Sequence, residues 1–150
     1  MAKRMLLSGG PEPASYTLIG ISTQLRDYRL SFLVNQALEF SLAKFEDISI
    51  VPDGKKEPVC FSIFSYRDED QFTNYHLLSN RAGDQFLIPK YRHSDYILFV
   101  EGKLKKSRKS ELMARIRQIA NVLAVFEIPA AEVKNLDTIL SDLELNFPCS

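Results

Sequence analysis

Cysteine is scarce in this chain: Cys60 and Cys149 are the only two in 150 residues. Two are too few for the framework of a disulfide-built scaffold, and no CxxC pair is present for zinc or thiol redox chemistry. The expectation is a cytoplasmic protein with reduced thiols. An excess of one charge is also missing. Nineteen Lys and Arg balance nineteen Asp and Glu, so no overall field draws the chain to nucleic acid or an anionic membrane. No run reaches the ~18 apolar residues of a membrane-spanning helix. Met1 to Leu7 carries the charge of a signal peptide without its apolar centre. Glycine is sparse, with six residues, and Gly9-Gly10 is the one adjacent pair. No GxSxG, Walker loop, dinucleotide fingerprint or HExxH stands in the sequence, which leaves the chain without a recognisable catalytic motif.

What is present suits one folded domain. The length is typical of a single core, and ten phenylalanines and six tyrosines supply large apolar side chains. Residues 1–14 read as a flexible leader and 15–150 as the domain. Ser15 to Ile21 is rich in β-formers, and Ser22 and Thr23 can cap the next helix. Leu30, Leu33, Val34, Ala37 and Leu38 fall on one helical face, predicting an amphipathic helix within 25–38. A strand over 42–51 ends at the turn Pro52-Asp53-Gly54. Val59 to Phe64 and Phe72 to Ser79 predict a hairpin linked by Arg67-Asp68-Glu69-Asp70. Asn80 to Asp84 is a turn, and Gln85 to Ile88 a short strand stopped by Pro89.

Tyr96 to Val100 is apolar at every position, as in a central strand covered on both faces. Leu112, Ile116, Ile119 and Ala120 predict a second helix starting at Ser110, after the charged run 103–109. Val122 to Ile128 is the last strand, and Leu136, Ile139, Leu140 and Leu143 mark a short C-terminal helix. The order β-α-β-β-β-β-β-α-β-α predicts a single α+β domain. Its sheet is mostly antiparallel, with two main helices packed on it and a short C-terminal helix.

Several groups invite a chemical reading. His76 and His93 are the only histidines and lack metal-ligand spacing, so no metal and no cofactor is expected. Cys60 and His76 could meet across the hairpin as a nucleophile and base, although a cysteine on a strand behaves more often as a small hydrophobe. Asp68-Glu69-Asp70 reads as a solvated turn, lacking the ligand number and glycine of a calcium loop. Lys103, Lys105, Lys106, Arg108 and Lys109 could grip phosphates, but no aromatic residue stands among them for base stacking. Nucleic acid is therefore an alternative partner and not the favoured one. In the stretch Leu87 to Gly102, Asp95 can bond backbone donors at the entry to the strand. Tyr96 offers an apolar body and a hydroxyl that needs a partner.

Ile88-Pro89-Lys90-Tyr91-Arg92-His93-Ser94-Asp95-Tyr96 resembles the signature of the bacterial IPExxxVDY family. So do Leu18 to Ser22, Asp27 to Leu30 with Asn35, Phe64-Ser65-Tyr66 and Leu78-Ser79-Asn80, and the similarity spans residues 15–130. Lys90 stands where the signature has glutamate, and Ser94 where it has valine. The resemblance implies a lineage without an established activity.

The functional expectation is a non-enzymatic cytosolic module that works by protein association, as a homodimer or with another protein. Phe32 and Phe40 are its candidate interface residues. The alternative is a small-ligand or regulatory domain using Tyr28, Arg29, Tyr66, Arg92, Asp95 and Tyr96. A pocket joining Arg29 to Asp95 would favour that alternative, and a broad apolar patch the first.

Overall fold

In the computed structural model, residues 16–52, 55–134, 136–145 and 149 are described. The expected leader over 1–14 and Asp53-Gly54 of the expected turn lie outside them. Eight strands and three α-helices succeed one another: β1 (Tyr16–Thr23), α1 (Asp27–Leu38), β2 (Ala43–Ile50), β3 (Val59–Asp68), β4 (Thr73–Ser79), β5 (Arg81–Ala82), β6 (Gln85–Phe86), β7 (Tyr96–Glu101), α2 (Lys106–Arg117), β8 (Val122–Ile128) and α3 (Leu136–Leu145). Six strands form one sheet in the order β2-β3-β4-β7-β1-β8, with every neighbouring pair antiparallel. The α+β architecture is as the sequence predicts.

β7 explains why the sheet is covered on both sides. Its side chains alternate between faces. Tyr96, Leu98 and Val100 join Ile19, Ile21, Tyr75 and Leu77 in one core, to which α1 adds Leu30, Val34 and Leu38 and α2 adds Leu112 and Ile116. Ile97 and Phe99 face the other way, into a core with Leu18, Phe61, Ile63 and Leu78 that Ile139 of α3 closes. Each such side chain, fully buried, contributes about 1.5–3 kcal/mol relative to exposure, so one strand serves two cores. α1 carries the chain from β1 to β2 across the sheet, and α2 carries it from β7 to β8, the two neighbours of β1.

The sheet's outer strands, β2 and β8, are each handled differently. Along β8, Arg117 Nη2 donates to Val125 O at 2.9 Å, occupying a backbone acceptor on an edge strand. Beside β2, Cys149 N donates to Asp47 O at 2.9 Å, and Cys149 forms a disulfide with Cys60. This corrects the expectation of reduced cysteines. Cys60 is exposed near the sheet edge, where the partner brought to it from 89 residues away is visible only in three dimensions.

Three boundaries also differ. α2 begins at Lys106 and not Ser110, so half of the basic run is helical. The strand expected over 85–88 shortens to Gln85–Phe86, because Ile88 N turns inward to the side-chain oxygen of Asn80. The hairpin link lies later than expected. β3 runs on to Asp68, whose Oδ1 accepts from Asp70 N and Gln71 N, an Asx-type turn that sets the register.

Candidate functional site

The signature-like stretch forms the corner between β4 and β7. Asn80, fully buried, leaves β4 and ties this corner together. Its Nδ2 donates to Tyr91 O and Ser94 O, both at 2.9 Å, and its Oδ1 accepts from Ile88 N at 2.8 Å. Its own backbone N donates to Asp95 O, and its carbonyl accepts from Leu87 N. Each donor and acceptor group of the residue is thereby engaged.

Ser94, also fully buried, accepts from Ile21 N at 3.1 Å and donates to Tyr96 O at 2.6 Å. Valine, which the signature has here, has no oxygen to offer Ile21 N. The close approach needs Gly20, because a Cβ there would lie 2.9 Å from Ser94 Oγ and 2.6 Å from the Phe126 ring. Asp95 Oδ2 accepts from Thr23 N at 2.8 Å, a backbone donor as expected, but one on β1 and not in the turn that leads into β7. Tyr96 is buried and its hydroxyl donates to Leu25 O at 2.7 Å. Burial, with the Asp27 and Asp95 charges adding to it, pushes its phenol up to about 12. Thr23 does not cap α1. Its hydroxyl donates to Asn121 O and accepts from Leu25 N, and α1 has no side-chain cap.

The remaining signature positions make surface contacts: Lys90, Arg92 and His93 are exposed and Tyr91 is half-buried. Lys90 pairs with Glu132 at 3.1 Å, and Tyr91 donates to the same carboxylate at 2.6 Å. The Tyr91 hydroxyl, with Lys90 adding to it, holds that carboxyl below the usual carboxylate range. A glutamate at 90 would face Glu132 with like charge, so the lysine suits its neighbour here. His93 stacks on Phe126 at 5.1 Å between ring centroids, and the Arg92 guanidinium lies 5.6 Å from the Phe86 ring.

An open groove of about 460 Å³ runs beside this corner, lined by the Thr23 to Arg26 turn, Ser79, Arg81, Gly83, Asp95 and Tyr96. It joins Asp95 to Arg26 and Arg81, and Arg29 is not part of its lining. The six residues expected to share a ligand therefore do not form one site. Tyr66 packs elsewhere, stacked at 5.9 Å on buried Tyr75 and 5.1 Å from Phe40. Phe40, expected at an interface, is 7% exposed and 4.3 Å from the Tyr75 ring. The reason is the αL residue Glu39 at the helix end, which turns the chain so that Phe40 folds back under α1.

Tyr28 and Phe32 behave otherwise. They are 64% and 50% exposed and one helical turn apart on α1, so they lie on the same flank. The Arg29 guanidinium lies 5.6 Å from the Phe32 ring. Asp27, just before them, accepts a short hydrogen bond from Ser62 Oγ, which fixes the start of the helix against β3. Asn35 holds the other end by exchanging two hydrogen bonds with the Leu42 backbone.

The basic run is partly neutralised. Arg108 pairs with Glu111 and Lys109 with Glu127. Cys60 does not meet His76 across the hairpin, since the later turn sets Ser65 opposite His76. Ser65 Oγ and His76 Nδ1 share a hydrogen bond of 2.7 Å. Burial pushes the His76 pKa down, against an opposing pull from Glu101. Asn74 Nδ2 donates to Glu101 Oε1 at 2.9 Å, extending a polar ladder across β3, β4 and β7. Alternation along the two strands could have paired these residues once the turn was placed. Asn80 was marked by its place at a strand end, but its burial had no local signal.

No family model matches the chain, and comparison with curated proteins and with solved structures finds no match. Among the described residues, no helix is long and apolar enough to cross a membrane.

Proposed function

We propose that this protein is a non-catalytic association module that pairs with a second copy of itself through the outer flank of α1. The observation carrying this reading is the exposure of Tyr28 and Phe32 on one helical turn, with Arg29 stacked on Phe32. Tyrosine and arginine are among the residue types most enriched at the anchors of protein interfaces. Arg29 laid over an aromatic ring is already ordered, which lowers the entropy lost on docking. A chain whose formal charges cancel meets no net repulsion from its own copy. Asp95 and Tyr96, candidates for a ligand site, each bond the backbone through Asp95 Oδ2 and the Tyr96 hydroxyl.

The kinship we favour is with the IPExxxVDY family, on the residues quoted for it, and the setting is the cytosol. There a Cys60–Cys149 disulfide would be conditional, since thiol buffers keep most cytosolic cysteines reduced. A second reading, a small anionic ligand in the groove, is favoured by the presence of Arg26 and Arg81 in its lining.

Sedimentation equilibrium over a wide concentration range tests the main reading. The parent should move from monomer to dimer, and Phe32→Ser should weaken the dimer by on the order of tenfold or more, the effect of removing an interface anchor. A parent that stays monomeric throughout would sink self-association.

A further inference from the structure

The Cys60–Cys149 disulfide stands outside the association reading, and its surroundings are unlike those of a buried staple. Cys60 is exposed on β3, between Phe61, which is fully buried, and Val59. Strand alternation therefore turns its sulfur toward the α1 side of the sheet. Ser49 of β2 lies directly opposite it. Cys149 is the penultimate residue, and its Cα is 6.1 Å from that of Cys60, within the ordinary span of a disulfide.

The disulfide thus ties together the two faces of the sheet at its rim. α3 packs on the far face, where Ile139 is fully buried in the second core. Leu145, its last residue, is 57% exposed. Cys149 lies beside β2, donating to Asp47 O, and reaches Cys60 on the near face. Asp47 belongs to the first half of β2, Ala43 to Asp47, which is exposed at all five positions. Burial of side chains therefore does little to hold this half down. β2 is also the outermost strand, and its ladder to β3 is interrupted between Phe45 and Ile48.

We propose that the disulfide is a thiol-responsive latch that holds Cys149 over the outer edge of β2. A dithiol reductant attacks the exposed disulfide through a mixed disulfide. The reductant gives up two electrons and two protons and becomes a disulfide itself, while Cys60 and Cys149 become thiols. Cys149 then leaves Asp47, and the first half of β2 opens. The rest of the sheet keeps its ladders, since β3, β4, β7, β1 and β8 pair without Cys149. Exposure of Cys60 gives the reductant access, which a disulfide within either core would lack.

Native-state amide exchange of the full chain, oxidised and then treated with dithiothreitol, tests this. The amides of β2 should exchange on the order of tenfold faster in the reduced protein, an opening of one local unit. Those of β7 should change less, and oxidised glutathione should restore the first pattern. Cys149→Ser, which leaves every sheet residue in place, should show the reduced pattern with no response to dithiothreitol. Cys60→Ser should match it. Equal acceleration in β2 and β7 would show a staple acting on the whole fold and would overturn the latch. So would unchanged exchange, or two free thiols alkylated in the protein before any reductant is added.

Discussion

The corner between β4 and β7 and the outer flank of α1 are both rich in tyrosine and arginine, and both attract a functional reading from sequence. They differ in what their side chains have already found. At the corner, Asn80, Ser94, Asp95 and Tyr96 each bond to the backbone of another segment, and two of them are fully buried. On α1, Tyr28 and Phe32 leave half or more of their surface to solvent. Polar groups saturated from within hold a fold together, because breaking them leaves buried partners unpaired. Large apolar groups left outside do little for the fold and are free to meet another surface. The same residue types thus serve architecture in one place and stay exposed to solvent in the other.

The largest effect should come from Tyr96→Ala. It empties a buried aromatic site and strips Leu25 O of its donor, for a loss on the order of 3 kcal/mol, read from the urea midpoint. A variant that unfolds like the parent would break the comparison, because the corner would then not be architectural. Asn80→Ala should cost about 2–3 kcal/mol, since Ile88 N, Tyr91 O and Ser94 O lose their partner together. Thermal unfolding monitored by circular dichroism is sufficient to see it.

Ser94→Val, which places at this position the valine of the resembled signature, should destabilise by about 1–2 kcal/mol by leaving Ile21 N unpaired. A neutral or stabilising result would mean that Gly20 and its neighbours close around valine equally well. The smallest effect on stability belongs to the other region. Tyr28→Ser and Phe32→Ser should change it by no more than about 0.5 kcal/mol, as surface substitutions do, while both weaken self-association in sedimentation. If either unfolds the protein instead, its ring belongs to the fold after all.

Much of this fold is legible in local pattern. The apolar run Tyr96 to Val100 marks a strand covered on both faces, and the stripe of α1 marks its buried side, since alternation and helical spacing are properties of the backbone alone. Phe32 and Phe40 show where local pattern stops. Both lie beside the stripe in sequence, and one is exposed while the other is stacked on Tyr75. The difference depends on the left-handed turn at Glu39 and on what β3 and β4 present beneath it. The hairpin register was hidden for a related reason. It hinges on where Asp68 bonds the turn, and a displacement of the turn replaces the partner of His76.

Periodicity, breakers and composition determined the type of the main elements, the two-sided burial of β7 and the α+β class, because each depends on neighbours in the chain. That Asp95 would bond a backbone donor was also legible, though not that the donor is Thr23 of β1. Strand order, the burial of Asn80 and Ser94, the groove beside Arg26 and Arg81, and the meeting of Cys60 with Cys149 were decided only by tertiary structure. Each requires segments far apart in the chain to arrive together, and closing such loops is settled by the packing of the whole sheet. A residue's type states what it can bond, and the folded chain determines whether that capacity is used within the molecule or left for a partner.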